Sequence, residues 1–532
     1  MRKGTLSLNP EATPVSIELP DDYDRLLQSI TVCAPAQKIS LDIDVTHKLA
    51  LPAILESALL LVAQIETVSP SELGSFFGLT DHERDILVNE MIDTDLVRFN
   101  DEGDIATTPK LIAQRREGAA DGGITIEDVE NFREITFVDL CTGHIQPRSE
   151  ADKQLGLPML PRKVNLTDFS QIFAKQFHRF QACLPDLKSK KSLRSSKAHL
   201  YRINRASVMQ SGLQQQVSLD IHARHDPLYG IRLDARLLDY KKEHSNLIDS
   251  SGLKTEAVDW IHNRLHEPAT ISLQQYCDIV RDPVIERYIK HGDILDLPRL
   301  LHDRFRAKTG YGHQNTRMMI GPIYSAANRK TITSWVDRHS KNKRMHQGVW
   351  LGATNQLFGA SLGLESFMKE INYELNQGER RSSLNLAFHL GEGHDSYDER
   401  SRLKNTLSQR TDCKLCTFVD GTSESHMELM VFPGENGCAL AQYHAKIDTS
   451  LGFGGLTIPL GYFTIEPDCV AFLWEQVRKR INSNLTPFDN YEINLESLNK
   501  QLKYAPQSLN KLLEDESAQL LKNLVDKFNR FT

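Results

Sequence analysis

Apolar and polar positions alternate strictly over Ile39-Ser-Leu-Asp-Ile-Asp-Val45, which predicts a half-buried strand. From Ala53 to Thr67 the apolar residues recur at helical spacing, and Ser69-Pro70 predicts the cap of a short second helix through Phe77. Gly78-Leu-Thr80 reads as a turn, with a third helix over about Asp81 to Asp95. Leu96-Val-Arg-Phe99, Asn100-Asp-Glu-Gly103 and Asp104-Ile-Ala-Thr-Thr108 then read as a hairpin. Val217-Ser-Leu-Asp-Ile221 and Ile231-Arg-Leu-Asp-Ala235 alternate around His225-Asp-Pro and predict an antiparallel pair. Helical patterns follow from Lys254 to Phe305, broken at Pro268, Pro283 and Pro298.

From Met318 the rhythm changes. Strands are predicted at Met318–Tyr324, Gln347–Leu351, Leu384–Phe388, Lys414–Phe418, Met427–Phe432 and Cys438–Ile447. Helices are predicted at Asn328–Lys341, Leu362–Leu375, Tyr397–Gln409 and Cys469–Ile481, with a polar helical tail over Asn494–Phe531. Strands alternating with helices imply an α/β sheet built by crossovers. The expected fold class is therefore multidomain α/β and α+β. Its segments are a strand-containing start (1–50), a helical and hairpin unit (51–118), a mixed central region (119–310), an α/β domain (311–482) and a helical tail (483–532).

The chain has 532 residues, 40% hydrophobic and 25% charged, the mix of a globular protein with several cores; this excludes a collagen, a coiled-coil rod and a mainly disordered chain. Met1-Arg2-Lys3-Gly4 runs into Thr, Ser, Asn and Pro with no apolar leader, and the longest apolar run is too short to span a bilayer. A cytoplasmic protein without membrane contact is expected. The cysteines sit mostly in apolar segments, which suits buried free thiols. Cys413-Lys-Leu-Cys416 has no second pair to complete a zinc site, and Glu392, His394 and Asp395 form only a short loop cluster. No metal and no cofactor are expected.

Net charge is −7, yet bases gather in two places. Residues 175–205 carry nine bases, Lys188, Lys190, Lys191 and Arg194 among them, against one acid, Asp186. Residues 304–344 carry ten, including Arg304, Arg306, Arg317, Arg329, Lys330, Arg338, Lys341, Lys343 and Arg344, against Asp337 alone. Such segments are either solvated faces or phosphate-contacting surfaces. Lys188, Lys190, Lys191, Arg194, Arg329, Lys330, Arg338, Lys341, Lys343 and Arg344 are the candidate nucleic-acid contacts.

Helix, helix, turn, helix and hairpin over 51–118 is the winged-helix arrangement, whose third helix would enter a major groove. Here that helix holds Asp81, Glu83, Asp85, Glu90, Asp93 and Asp95 against Arg84, so phosphates repel it. A protein-contact or dimerisation role is the expectation. Gly359-Ala-Ser361-Leu-Gly363 matches the Gly-x-Ser-x-Gly nucleophile elbow, but no buried strand runs directly into the serine. Small residues opening a helix explain the match equally well.

The strand, helix and strand order over 384–470, with Ser425-His426-Met-Glu428 and His444-Ala-Lys446, resembles the phospholipase D-like superfamily. In that superfamily a His-x-Lys-x4-Asp strand supplies a nucleophilic histidine and a phosphate-binding lysine. His426 falls on the histidine, but Glu428 stands at the lysine position and Pro433 at the aspartate position. His444 and Lys446 keep the His-x-Lys pair without a correctly spaced aspartate. The resemblance implies an α/β fold with degenerate catalytic machinery. His444, Lys446 and His426 are the candidate catalytic residues of the alternative, a metal-independent phosphodiesterase or nuclease.

The leading expectation is a non-catalytic, DNA-associated component of a bacterial genome-maintenance or phage-defence assembly. It would bind DNA backbone without sequence preference, alongside partner proteins of a multi-subunit system. A protein-interaction scaffold is the reading that remains if no nucleic acid is engaged.

Overall fold

The computed structural model describes residues 19–117, 124–147, 156–166, 169–238, 242–264, 269–312, 314–340, 348–354, 357–375, 384–389, 407, 414–418, 424–433, 437–481 and 486–487. It shows a multidomain protein of α/β and α+β type with several sheets. The chain forms two compact units: residues 36–148 with 165–212, and residues 1–35, 149–164 and 213–532. The division falls inside two long strands, β1 (Asp24–Ala50) and a second over Ala198–Asp226.

In the unit of residues 36–148 and 165–212, β1 runs into α1 (Ala53–Ile65), β2 (Thr67–Val68), α2 (Pro70–Phe77) and α3 (Asp81–Asp93). Next come β3 (Val97–Phe99), β4 (Ile105–Thr107) and α4 (Pro109–Glu117). Two reciprocal caps set the helix starts. Ser69 Oγ accepts the Glu72 N–H while Glu72 accepts the Ser69 N–H, and Thr80 and Glu83 do the same one helix later. Gly78, at φ 65°, makes the left-handed turn between them. Leu59, Val62, Leu73, Leu87, Met91 and Ile105 close one core beneath the three-stranded sheet β2-β4-β3.

The same unit carries β5 (Thr125–Asp139), β6 (Ile145–Gln146), α5 (Phe169–Lys175), α6 (Phe177–Cys183) and the start of β7 (Ala198–Asp226). β1 pairs antiparallel with β5, placing Ile43 opposite Phe132. Ile39, Leu41, Ile43 and Val45 alternate inward against Phe173, Phe177 and Phe180.

In the unit of residues 1–35, 149–164 and 213–532, β7 pairs antiparallel with β8 (Gly230–Leu237), Ile221 opposite Ala235, the pair expected from alternation. Then follow α7 (Lys242–Ser250), α8 (Leu253–His262), α9 (Leu273–Val280), β9 (Ile289–Lys290), β10 (Ile294–Leu295) and α10 (Leu297–Phe305). The large sheet is built from β11 (Thr316–Ile320), β12 (Gly348–Leu351), β13 (Leu384–His389), β14 (Lys414–Phe418), β15 (Met427–Phe432), β16 (Cys438–Ile447), β17 (Thr457–Thr464) and β18 (Thr486–Pro487). Its order is β11-β17-β16-β15-β12-β13-β14-β18. Helices α11 (Ala326–Ser340), α12 (Leu362–Leu375) and α13 (Pro467–Arg480) complete the unit.

The sheet is mixed, where alternation of strands and helices implied crossovers throughout. Only β12, β13 and β14 run parallel as neighbours on this path. β15, β16 and β17 form an antiparallel meander, because the links between them are too short for the dozen or more residues a crossover needs. Trp335, Trp350, Phe367, Met430, Phe432 and Leu440 form the core under α11 and α12. The helix expected at Tyr397–Gln409, the tail at Asn494–Phe531 and the Glu392, His394 and Asp395 loop lie outside the described residues, apart from Leu407.

Candidate nucleic-acid interface

The candidate catalytic residues sit on the meander. On β16, His444 Nε2 meets Glu428 Oε1 of β15 at short range, and Glu428 Oε2 accepts the Trp350 indole N–H of β12 at 3.1 Å. His444 is 2% exposed and Glu428 1%, so the contact ties three strands together within the core. His444 Nδ1 is buried without a hydrogen-bond partner. His426, equally buried, holds Ser425 Oγ at 2.9 Å and lies over Tyr443 with ring centroids 6.0 Å apart. Tyr443 and His444 are consecutive on a strand and point to opposite faces, so the two histidines serve different sides of the sheet. Lys446 is half-buried on the His444 face. A ring this buried and already engaged by a carboxylate offers little surface to a phosphodiester.

The Gly-x-Ser-x-Gly match has a packing explanation. Ser361 Oγ accepts the Gly363 N–H at 3.1 Å, capping α12. A Cβ on Gly363 would come within 2.9 Å of the Tyr324 carbonyl oxygen, so the close approach of chain segments requires glycine. Among the described residues no cluster of His, Cys, Asp and Glu could hold a metal, and no helix is long and apolar enough to cross a membrane.

The basic residues divide. Lys190 is bound to Glu134 of β5 and Arg194 to Asp186 at 2.5 Å, while Lys188 and Lys191 are exposed. Arg329 pairs with Glu370 at 3.3 Å. Lys330, one residue on, is exposed. Arg338 belongs to α11 with its side chain outside the described residues, as are Lys341, Lys343 and Arg344 altogether.

What the structure assembles from the second segment is a groove along β11 and the first half of α11. One cavity, of about 530 Å³, is lined by Arg25, Arg304, Arg317, Thr309, Thr316, Ser325, Asn328 and Thr331. A second, of about 750 Å³, shares Arg317, Ala327 and Thr331 with it and adds Gln314, Asn315, Lys330, Ser334 and the aromatic side chains of Trp335 and Phe463. Among the described residues, no carboxylate lines either cavity. Asn315, which lines the second cavity, donates from Nδ2 to Glu466 Oε2 at 3.2 Å.

Each base arrives by a different element. Arg25 is the second residue of β1; its guanidinium donates to the Tyr23 hydroxyl oxygen, and its Nε is buried without a partner. Arg304 stands in the last turn of α10 and donates from Nη1 to the Met318 carbonyl at 3.1 Å. Arg317 stands exposed on β11. Burial, then the neighbouring Arg25 charge, pull the Arg304 pKa down to about 10; Tyr23 and Tyr311 oppose them only in part, and no carboxylate helps. Tyr311 in turn donates its hydroxyl to the carboxylate of Asp282, 1% exposed, at 3.0 and 3.1 Å. Burial raises the Asp282 pKa to about 6. Two like charges held half-buried without a counter-ion are costly in the unliganded protein, and an anion in the groove removes that cost.

Sequence reasoning counted Arg304 and Arg317 within the basic run without singling them out, and it missed Arg25, which no local pattern connects to them. It placed Lys330 among the contacts.

No known family and no curated protein matches this chain. Among solved structures, TrmBL2, an archaeal chromatin protein described as showing a novel mode of DNA binding, aligns with 48% of this chain and 74% of its own. The identity is 10% and the TM-score 0.19, a likeness too low to carry an argument about fold or function.

Proposed function

We propose that the protein is a nucleic-acid-associated component that holds backbone phosphates in the groove of Arg25, Arg304, Arg317 and Lys330. The observation that carries this reading is a basic groove without a lining carboxylate among the described residues of a chain that is acidic overall. Guanidinium forks pair two oxygens of one phosphate, and the hydroxyls of Thr309 and Ser325 line the same cavity. Contacts of this kind read charge and spacing rather than bases, so binding without sequence preference follows.

In this reading the unit of α1 to β4 is a winged helix used for protein contact. The acids of α3 face solvent, and Arg84, its single base, is taken by Asp81 and Asp85 at 2.7 Å each. Partner proteins of a DNA-maintenance or phage-defence assembly would then supply any catalysis, and the phospholipase D-like resemblance of the sheet would be one of architecture.

The test is a titration of double- and single-stranded DNA across a salt series, with cleavage followed in the same samples. Four phosphate contacts on a single strand give a slope of log affinity against log salt of about −3. Absence of binding at low salt would remove the proposal and leave a scaffold. Cleavage lost on His444→Ala in a protein that stays folded would move the weight to the phosphodiesterase reading.

A further inference from the structure

The bases of the groove lie at two depths. Arg317 and Lys330 are exposed along its length, whereas Arg25 and Arg304 are half-buried. A phosphodiester within a strand carries a sugar on each side, and both must leave the site, so it suits the exposed pair. A phosphomonoester has three unsubstituted oxygens and up to two negative charges, and only one sugar leads away. It matches two half-buried guanidiniums that line one cavity with no carboxylate among its described lining residues.

We infer that the Arg25–Arg304 recess is a seat for the terminal phosphomonoester of a nucleic-acid strand, with the first nucleoside lying past Arg317 toward Asn315 and Gln314. This rests on the nucleic-acid reading of the groove and narrows it to strand ends. The volumes agree: about 530 Å³ around the two arginines and about 750 Å³ beyond them each exceed the smallest ligand pockets, of roughly 300 Å³. Arg25 and Arg304 both line this cavity, and the buried Arg25 Nε has no hydrogen-bond partner of its own. The low pKa of Arg304 reports the same unmet charge from the other side. When the phosphate enters, no bond is made or broken; the step is binding only.

The experiment uses the full chain and one oligodeoxynucleotide in four forms: 5′-phosphorylated, 3′-phosphorylated, unphosphorylated, and closed into a circle. Fluorescence anisotropy competition gives their affinities beside those of thymidine monophosphate and inorganic phosphate. One phosphorylated end should bind about tenfold tighter than the unphosphorylated strand and the circle, the worth of an added pair of charge-assisted hydrogen bonds. That advantage should vanish in Arg304→Gln and in Arg25→Gln, while Arg317→Gln with Lys330→Gln weakens all four forms alike. Arg25→Gln serves alone if Arg304→Gln fails to fold, since Arg304 also bonds Met318. Equal affinity for all four forms would overturn the end-specific seat and leave the backbone reading standing. Thymidine monophosphate competing at the same concentration as the phosphorylated strand would assign the recess to free nucleotides and overturn the strand-end proposal. No binding of any form would overturn both readings together.

Discussion

Two stretches of this chain are almost equally rich in lysine and arginine, and the fold treats them in opposite ways. Over 188–194 the sheet supplies Glu134 to Lys190, and the preceding turn supplies Asp186 to Arg194. Half of that cluster is neutralised by its own surroundings. Over 304–330, β1, α10, β11 and α11 bring Arg25, Arg304, Arg317 and Lys330 to one groove, and no described carboxylate lines it. Counting bases along a sequence measures neither situation. What decides whether a basic run contacts phosphate is which acids the tertiary structure brings back to it.

That contrast can be broken most forcefully by charge reversal. Arg317→Glu with Lys330→Glu should weaken DNA binding at low salt by about 100-fold, each site losing a charge-assisted contact and gaining repulsion. Lys188→Glu with Lys191→Glu, the same change in charge, should cost about threefold at most. Equal losses would erase the distinction between the two surfaces.

A second effect concerns the buried acid that holds Tyr311. Burial raises the Asp282 carboxyl from an ordinary pKa of 3.8 to about 6, so the folded protein holds this proton more tightly than the unfolded chain. The stability that protonation lends is complete below about pH 4 and is lost as pH rises through 6. Asp282→Asn keeps an oxygen for the Val284 and Ile285 N–H groups without the charge. The stability of the native protein relative to this variant should fall by about 3 kcal/mol between pH 4 and 7, read from denaturant unfolding at each pH. A constant difference would mean that Asp282 is not held protonated.

The smallest expected effect is a gain. Glu134→Gln releases Lys190, and affinity for DNA at low salt should rise about two- to threefold, with the gain disappearing as salt screens it. No change would show that Lys190 cannot reach phosphate even when unpaired.

Local features of the fold were legible where local chemistry sets them. The Ser69/Glu72 and Thr80/Glu83 caps announce two helix starts, and the alternation in 217–221 and 231–235 announces a strand pair found in register. The extent of β1 was not legible. Its first part holds Gln28, Pro35 and Gln37 among its apolar residues, so the alternation is clear only from Ile39, while pairing across the sheet extends it from Asp24 to Ala50. Likewise the strip Cys438–Ile447 reads as an isolated strand, and nothing in it says that His444 will be consumed by Glu428 of its neighbour. The groove shows the limit most plainly. Lys330, Arg304 and Arg317 belong to one visible run, but Arg25 joins them only because the first part of β1 belongs to the same unit as β11, a long-range relation that no window of sequence contains.

The central claim is that phosphate is held in the groove that no described carboxylate lines, and the salt dependence of binding measures it directly. With a single-stranded oligonucleotide, replacing Arg317 and Lys330 by Gln should flatten the slope of log affinity against log salt by about 1.4, two contacts at roughly 0.7 each. The same replacement at Lys188 and Lys191 should leave the slope of the native protein. A slope unchanged by the groove pair and flattened by the other would place the phosphates on 188–194 and contradict the account.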